Sequence, residues 1–223
     1  MSSQETKNLI ASTFMDLALE KRDTDVSTSA LCKACNVSRM TFYYHFPDRA
    51  CLIWWIYRDG LAYALQQELP EKVLVRPVEG SRDLFATLPY YARIPSGIRT
   101  LNQAAFFDIF TAYLQKRSDL FKLVLKGDQS EGFIRSFYGL YHQAIWGDVK
   151  IILGGRKLPD NVIKQLTYYY THAIFSPFVN SLQYFCVQPK DILPSQFENL
   201  GHEALCKVIE GYFSGSDQEY RFF

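Results

Sequence analysis

Between Asn36 and Arg49 the chain reads NVSRMTFYYHFPDR, and no other stretch restricts its own conformation so tightly. Asn36 tolerates a left-handed backbone, Ser38 is a good helix N-cap, and Pro47 cannot continue a helix. The residues between them, Arg39–Phe46, have room for about two helical turns. Five consecutive positions there, Phe42 to Phe46, carry rings. Advancing about 100° per residue from Arg39, Phe42 and Phe46 fall on one stripe, expected to pack on Leu31 and Ala34. Tyr44 lies opposite, between Met40 and Thr41, while Arg39 and Tyr43 flank one edge and His45 the other. The run divides into two anchors and three outward, polar-tipped rings.

Upstream, Ser27 caps a short helix running through Cys35, so two short helices meet at a three-residue turn, the outline of a helix-turn-helix. Phenol and imidazole groups beside Arg39 and Thr41 suit DNA, where they hydrogen-bond phosphates and pack on sugars or thymine methyls. The competing reading is a half-buried aromatic interface. With 223 residues and a net charge of +1, no global basic field advertises nucleic acid. The partner has to be met by a local surplus: Lys33, Arg39, Arg49 and Arg58 against Asp48 between Leu31 and Arg58.

Helical spacing of apolar residues dominates the rest, which predicts an all-α chain. The expected helices are Gln4–Lys21, Ser27–Cys35, Arg39–Phe46, Asp48–Leu69, Arg82–Tyr91, Arg99–Lys116, Ser118–Leu125, Ser130–Leu153, Asn161–Phe185 and Ser195–Phe213. PEKVLVRPVEGS after Leu69 is a loop, and GSDQEYRFF at the end carries no readable pattern. A boundary near Gly60 to Pro70 separates a helix-turn-helix domain, 1–60, from a larger aromatic-rich one, 61–223. No run approaches the roughly 18 apolar residues of a membrane span. With five scattered cysteines and no signal peptide, the chain reads as cytoplasmic.

ALCKACNVSRMTFYYHFPDRACL resembles the DNA-binding signature of the TetR family of transcriptional regulators. Ser38, Thr41, Phe42, Tyr43, His45, Phe46 and Arg49 match it, and the resemblance covers about Lys7 to Tyr57. Asn36 stands where the family often has Gly, and Met40 is bulkier than usual, so operator preference does not carry over. LIWWIY and KRSDLFKLVLKG are weakly similar to the branch related to dihydroxyacetone kinase regulators. The resemblance implies a homodimer, paired through the last two long helices, that binds a palindromic operator in double-stranded DNA and is released by a small-molecule effector. It implies no cofactor. The expected DNA-contacting set is Thr28, Ser38, Arg39, Met40, Thr41, Tyr43, Tyr44, His45 and Arg49. The stripe Leu166, Tyr170, Ile174 and Phe178 is consistent with pairing across a dimer. His142, Trp146, Tyr168 and His172 combine bulk with hydrogen-bonding tips and are the expected effector-binding residues. An activator, or a protein-interaction module on the same fold, is the alternative.

Cys32-x-x-Cys35, with His45 and Cys51 near, invites a zinc or thiol-sensing role, but no second CxxC accompanies it. Small buried hydrophobes explain both cysteines more simply. GDQSEG has the glycine spacing of a phosphate loop without the Lys-Ser/Thr, so it reads as a turn. His142, His172 and His202 have no nucleophile or ligand pattern around them, and no enzyme signature emerges.

Overall fold

The computed structural model describes residues 2–77, 85–184 and 195–214. These form a predominantly helical chain, α1 (Ser3–Lys21), α2 (Thr28–Ala34), α3 (Arg39–His45), α4 (Arg49–Glu68), α5 (Ala104–Lys116), α6 (Ser118–Lys126), α7 (Ser130–Leu153), α8 (Asp160–Tyr184) and α9 (Ser195–Ser214). Local chemistry sets the ends. Ser2 and Glu5 close a capping box at α1, and Arg22 ends that helix in a left-handed conformation. Ser27, Ser38 and Asp48 cap α2, α3 and α4 through the amides of Ala30, Thr41 and Cys51.

Two short hairpins interrupt the helices. β1 (Leu74–Val75) pairs antiparallel with β2 (Tyr91–Ala92), and β3 (Pro95–Gly97) with β4 (Thr100–Leu101). The expected helix Arg82–Tyr91 does not form over the described part, Phe85–Tyr91. From Phe85 the chain turns, and Tyr91 enters β2, because Pro89 removes a helical amide and restricts the residue before it. Residues 82–84, Phe185 and the tail 215–223 lie outside the described residues. The expected helix from Arg99 begins instead at Ala104, since Arg99 adopts a φ of 60° and Thr100 is already paired in β4. Among the described residues no helix is long and apolar enough to cross a membrane.

Two apolar clusters share α4. Trp55 and Ile56 join Ile10, Phe14, Leu31, Phe42 and Phe46 in the first, which also takes Leu120 and Val124 of α6. Tyr57, Leu61 and Leu65 join the second, with α5, α7, α8 and α9. The expected boundary at residue 60 lies within α4, and α6 divides its buried residues between the clusters, Leu120 and Val124 in the first and Phe121 and Leu125 in the second.

The stripe Leu166, Tyr170, Ile174 and Phe178, expected to pair across a dimer, is buried within the chain itself. These side chains complete the second core, where Tyr141 stacks on Phe175 with centroids 4.0 Å apart. The face that α8 leaves open carries Lys164, Gln165, Tyr168, Tyr169 and Ala173.

A polar network lies inside that core. The Tyr91 hydroxyl donates to Asp148 Oδ2 at 2.7 Å and lies 3.0 Å from His202 Nε2, which is 3.1 Å from the same carboxylate oxygen. Gln103 Nε2 donates to the Tyr91 oxygen at 3.0 Å, and Arg93 Nε donates to Asp148 Oδ1 at 2.6 Å. Burial, followed by the Asp148 charge, pushes the Tyr91 phenol well above its ordinary range, so it remains a donor. A Cβ at Gly147 would collide with the Arg93 guanidinium, so a side chain there has to displace Arg93 from its place beside Asp148.

Candidate nucleic-acid interface

The turn between α2 and α3 is built on Asn36, whose φ of 51° is left-handed. Ser38 then starts α3: its Oγ accepts from the Thr41 amide at 3.0 Å and lies 2.8 Å from Thr41 Oγ1. The helix divides as its rings require. Phe42 and Phe46 are 1% and 0% exposed, whereas Met40, Tyr43 and Tyr44 are 82%, 54% and 81% exposed. Arg39 is exposed, and Thr41 and His45 are half-buried on the rim. The anchors meet Leu31 as expected, but Cys35 takes the place assigned to Ala34, which is exposed. Cys32 and Cys35 face inward as small buried hydrophobes.

Met40, Tyr43 and Tyr44 together turn a contiguous, largely apolar surface outward beside the exposed Arg39. Partial burial, then the charge of Lys7, pushes His45 below the ordinary imidazole range. A neutral imidazole keeps both a donor and an acceptor. Thr28, the first residue of α2, is half-buried and lines a hollow of about 380 Å³ with Val26, Arg49 and Gln129.

The local charge surplus is smaller than the count suggests. Arg58 is fully buried, donates to the carbonyls of Phe85 and Leu88 at 3.1 and 3.0 Å, and lies over the Tyr90 ring. Arg49 is held by two carboxylates, Asp25 Oδ1 at 2.5 Å and Asp128 Oδ2 at 2.8 Å. Asp128 stands in the turn before α7, so Arg49 bridges the first helices to the C-terminal part and is not directed to solvent as a phosphate ligand would be. Both carboxylates are well exposed. Exposed pairs contribute about 0–1 kcal/mol each, which makes the bridge easy to exchange.

The two thiols are not poised for chemistry. Burial pushes Cys32 and Cys35 above the ordinary thiol range, and Cys51 up to about 11, which disfavours the thiolate needed for metal binding or exchange. Among the described residues no group of three His, Cys, Asp or Glu is arranged to hold a metal.

The expected effector residues gather on the outside of α7 and α8. His172 packs against Tyr138 and Tyr168, with centroids 4.3 and 4.5 Å away, and Tyr168 is 63% exposed. Burial and the neighbouring His172 push His142 below its usual range. Trp146 lies beneath Lys150. None of the four lines the clefts at the N-terminal end of α4, and the core behind them is filled by Tyr141, Phe175 and Phe178.

No protein-family model matches the chain, and no curated protein does. Among solved structures it is similar to a TetR-family transcriptional regulator from Streptomyces coelicolor. The two are 12% identical, with a TM-score of 0.50 over 98% of this chain and 86% of that one. This is a likeness of fold. A TetR family transcriptional regulator from Chloroflexus aurantiacus J-10-fl is 16% identical over 95% of this chain and 91% of that one, with a TM-score of 0.34.

Proposed function

We propose that this chain is a cytoplasmic transcriptional regulator of the TetR type and not an enzyme. In this reading it is a homodimer that represses by binding a palindromic operator, and a small-molecule effector releases it. The observation that carries the reading is the division of α3, with Phe42 and Phe46 sealed in the core and Arg39, Met40, Tyr43 and Tyr44 turned outward. The similarity of fold and the motif resemblance support it. The kinase-regulator branch rests on its two short stretches alone.

Residues 1–60 act as the reader in this proposal, with α3 entering the major groove and Ser38, Thr41, His45 and Thr28 on its flanks. Arg49 reaches a phosphate only after leaving Asp128, so DNA and the C-terminal part compete for one guanidinium. Effector and operator then antagonise each other reciprocally. Trp54 and Trp55 suit such a coupling. Trp55 packs on Phe46 at 5.6 Å, while Trp54 stacks on Tyr57 and meets Phe133 edge-on.

The test is an electrophoretic shift on DNA selected from a random duplex library. Binding of a palindromic duplex is expected, falling steeply as salt rises because phosphate contacts release counterions. Arg39→Ala is expected to weaken binding and lower the salt slope by about one. Failure to enrich any duplex at low salt would remove the proposal.

Dimerisation is assigned to the outward faces of α8 and α9, where Tyr169 and Leu200 are 65% and 47% exposed. Sedimentation is expected to give a dimer for the wild type and a monomer for Tyr169→Glu, which would bury a charge without a partner. A Tyr169→Glu dimer as tight as wild type would place the interface elsewhere.

A further inference from the structure

The effector residues expected from the sequence line neither cleft at the N-terminal end of α4, and one of these lies at the junction between α4 and α7. There the first turns of α4 face the first turns of α7 across a space of about 430 Å³, within the range of small-molecule sites. Its apolar walls are Ile53, Trp54 and Phe133, and its polar groups include Asp48 and Gln129. Trp54 and Phe133 meet edge-on, with centroids 5.4 Å apart and planes at 80°. Together they offer both a face and an edge to a flat ring.

Two details show how the space is shaped. Gly132 lies in the first turn of α7, where glycine is a poorer helix former than alanine. Nothing stands within 4 Å of the Cβ it lacks. Close packing does not require this glycine, and its missing side chain widens the cleft. The second detail is Asp48. One carboxylate oxygen accepts from the Cys51 amide at 2.7 Å and caps α4. Among the described residues the other oxygen has no hydrogen-bond partner, and Asp48 is the only charged residue lining the space.

We infer that this junction cleft binds a small planar aromatic molecule bearing an N–H or O–H donor, an aromatic amine or phenol. The ring lies against Trp54 and Phe133, and the donor reaches the uncommitted oxygen of Asp48. A carboxylate ligand is disfavoured, because it meets Asp48 with no basic side chain in the lining to offset the repulsion. Arg49 follows Asp48 directly, and Asp128 precedes Gln129. An occupant that parts α4 from α7 therefore pulls on the Arg49–Asp128 bridge. That consequence rests on the DNA-binding reading, but the binding itself does not.

The test is fluorine NMR on the full chain without DNA, with para-fluoroaniline as the probe and para-difluorobenzene as the donor-free control. Line broadening of para-fluoroaniline is expected with wild type, with a dissociation constant on the order of 1 mM for so small a probe. Gly132→Leu, which fills the cleft and favours the helix, is expected to abolish it. Asp48→Asn keeps an equally good N-cap but turns a donor toward the ligand, and a roughly tenfold loss is expected. Circular dichroism checks that both variants are folded. No broadening by wild type, or equal broadening by Gly132→Leu, overturns the site. Unchanged binding by Asp48→Asn, or equal binding of para-difluorobenzene, overturns the ligand class. Because no operator enters the measurement, these outcomes are independent of whether DNA is bound.

Discussion

Replacing Phe42 by Ala is expected to destabilise the protein by about 3–5 kcal/mol, whereas Tyr44→Ala two positions later is expected to change stability by less than about 0.5 kcal/mol. Both remove an aromatic ring from the same two-turn helix, so neither helix propensity nor ring size separates them. Position does. Phe42 is 1% exposed and packs within a cluster that includes Leu31, Cys35 and Phe46. Its loss leaves a cavity in a small core that cannot easily collapse, because α3 is pinned at Ser38 and stops before Pro47. Tyr44 is 81% exposed and meets the His45 ring edge-on. The measurement is urea unfolding followed by tryptophan fluorescence, and Trp55, buried against Phe46, reports on this cluster. Operator binding should show the opposite order at temperatures where both variants are folded, with Tyr44→Ala the weaker binder. Equal destabilisation by the two substitutions would sink the assignment of faces on which the DNA-binding proposal stands.

This part of the molecule was legible because the information is local. A cap at Ser38, a left-handed Asn36 and a proline at 47 fix the helix and its phase, and the phase decides which rings point inward. The C-terminal bound of α7 was legible for a similar reason, because Gly154 beyond its end adopts a φ of 55°. The misreadings have physical causes too. The spacing of Leu84, Leu88 and Tyr91 resembles a helical stripe, but Pro89 lies inside it, and a proline outweighs periodicity. Counting Arg49 and Arg58 as DNA-facing cations assumed that arginines on a surface helix face solvent. Arg58 instead points into the core toward two carbonyls, and Arg49 toward two carboxylates. The apolar stripe on α8 was visible, but sequence alone cannot say whether such a stripe meets its own chain or another. The network around Asp148 joins positions 91, 93, 103, 148 and 202, and no local pattern links residues so far apart.

That network carries the second large effect. Asp148 is fully buried and accepts from Tyr91 and Arg93, with His202 in reach. Asp148→Ala removes the common acceptor from the buried Tyr91 hydroxyl and from the half-buried Arg93 guanidinium, which keeps its bond to the Ala144 carbonyl. Orphaning one side of a buried pair in this way is expected to cost about 3–5 kcal/mol. The cost belongs to the groups left behind, and it is not a measure of what the pair adds. Arg93→Leu combined with Asp148→Leu removes both charges and supplies apolar volume, so the double variant is expected to recover much of the loss. Urea midpoints of the wild type, Asp148→Ala and the double variant give the comparison. A double variant no more stable than Asp148→Ala would mean that the pair itself contributes and that its geometry outweighs its desolvation. The consequence reaches α9, because the His202 imidazole is a polar contact of this helix with both α7 and β2. Loosening α9 disturbs the outer face proposed for the dimer. Asp148→Ala is therefore expected to dissociate at higher protein concentration than wild type even at temperatures where it is folded. An unchanged dimer constant in a destabilised Asp148→Ala protein would show that the network holds the core of one chain and does not position the surface that meets the second.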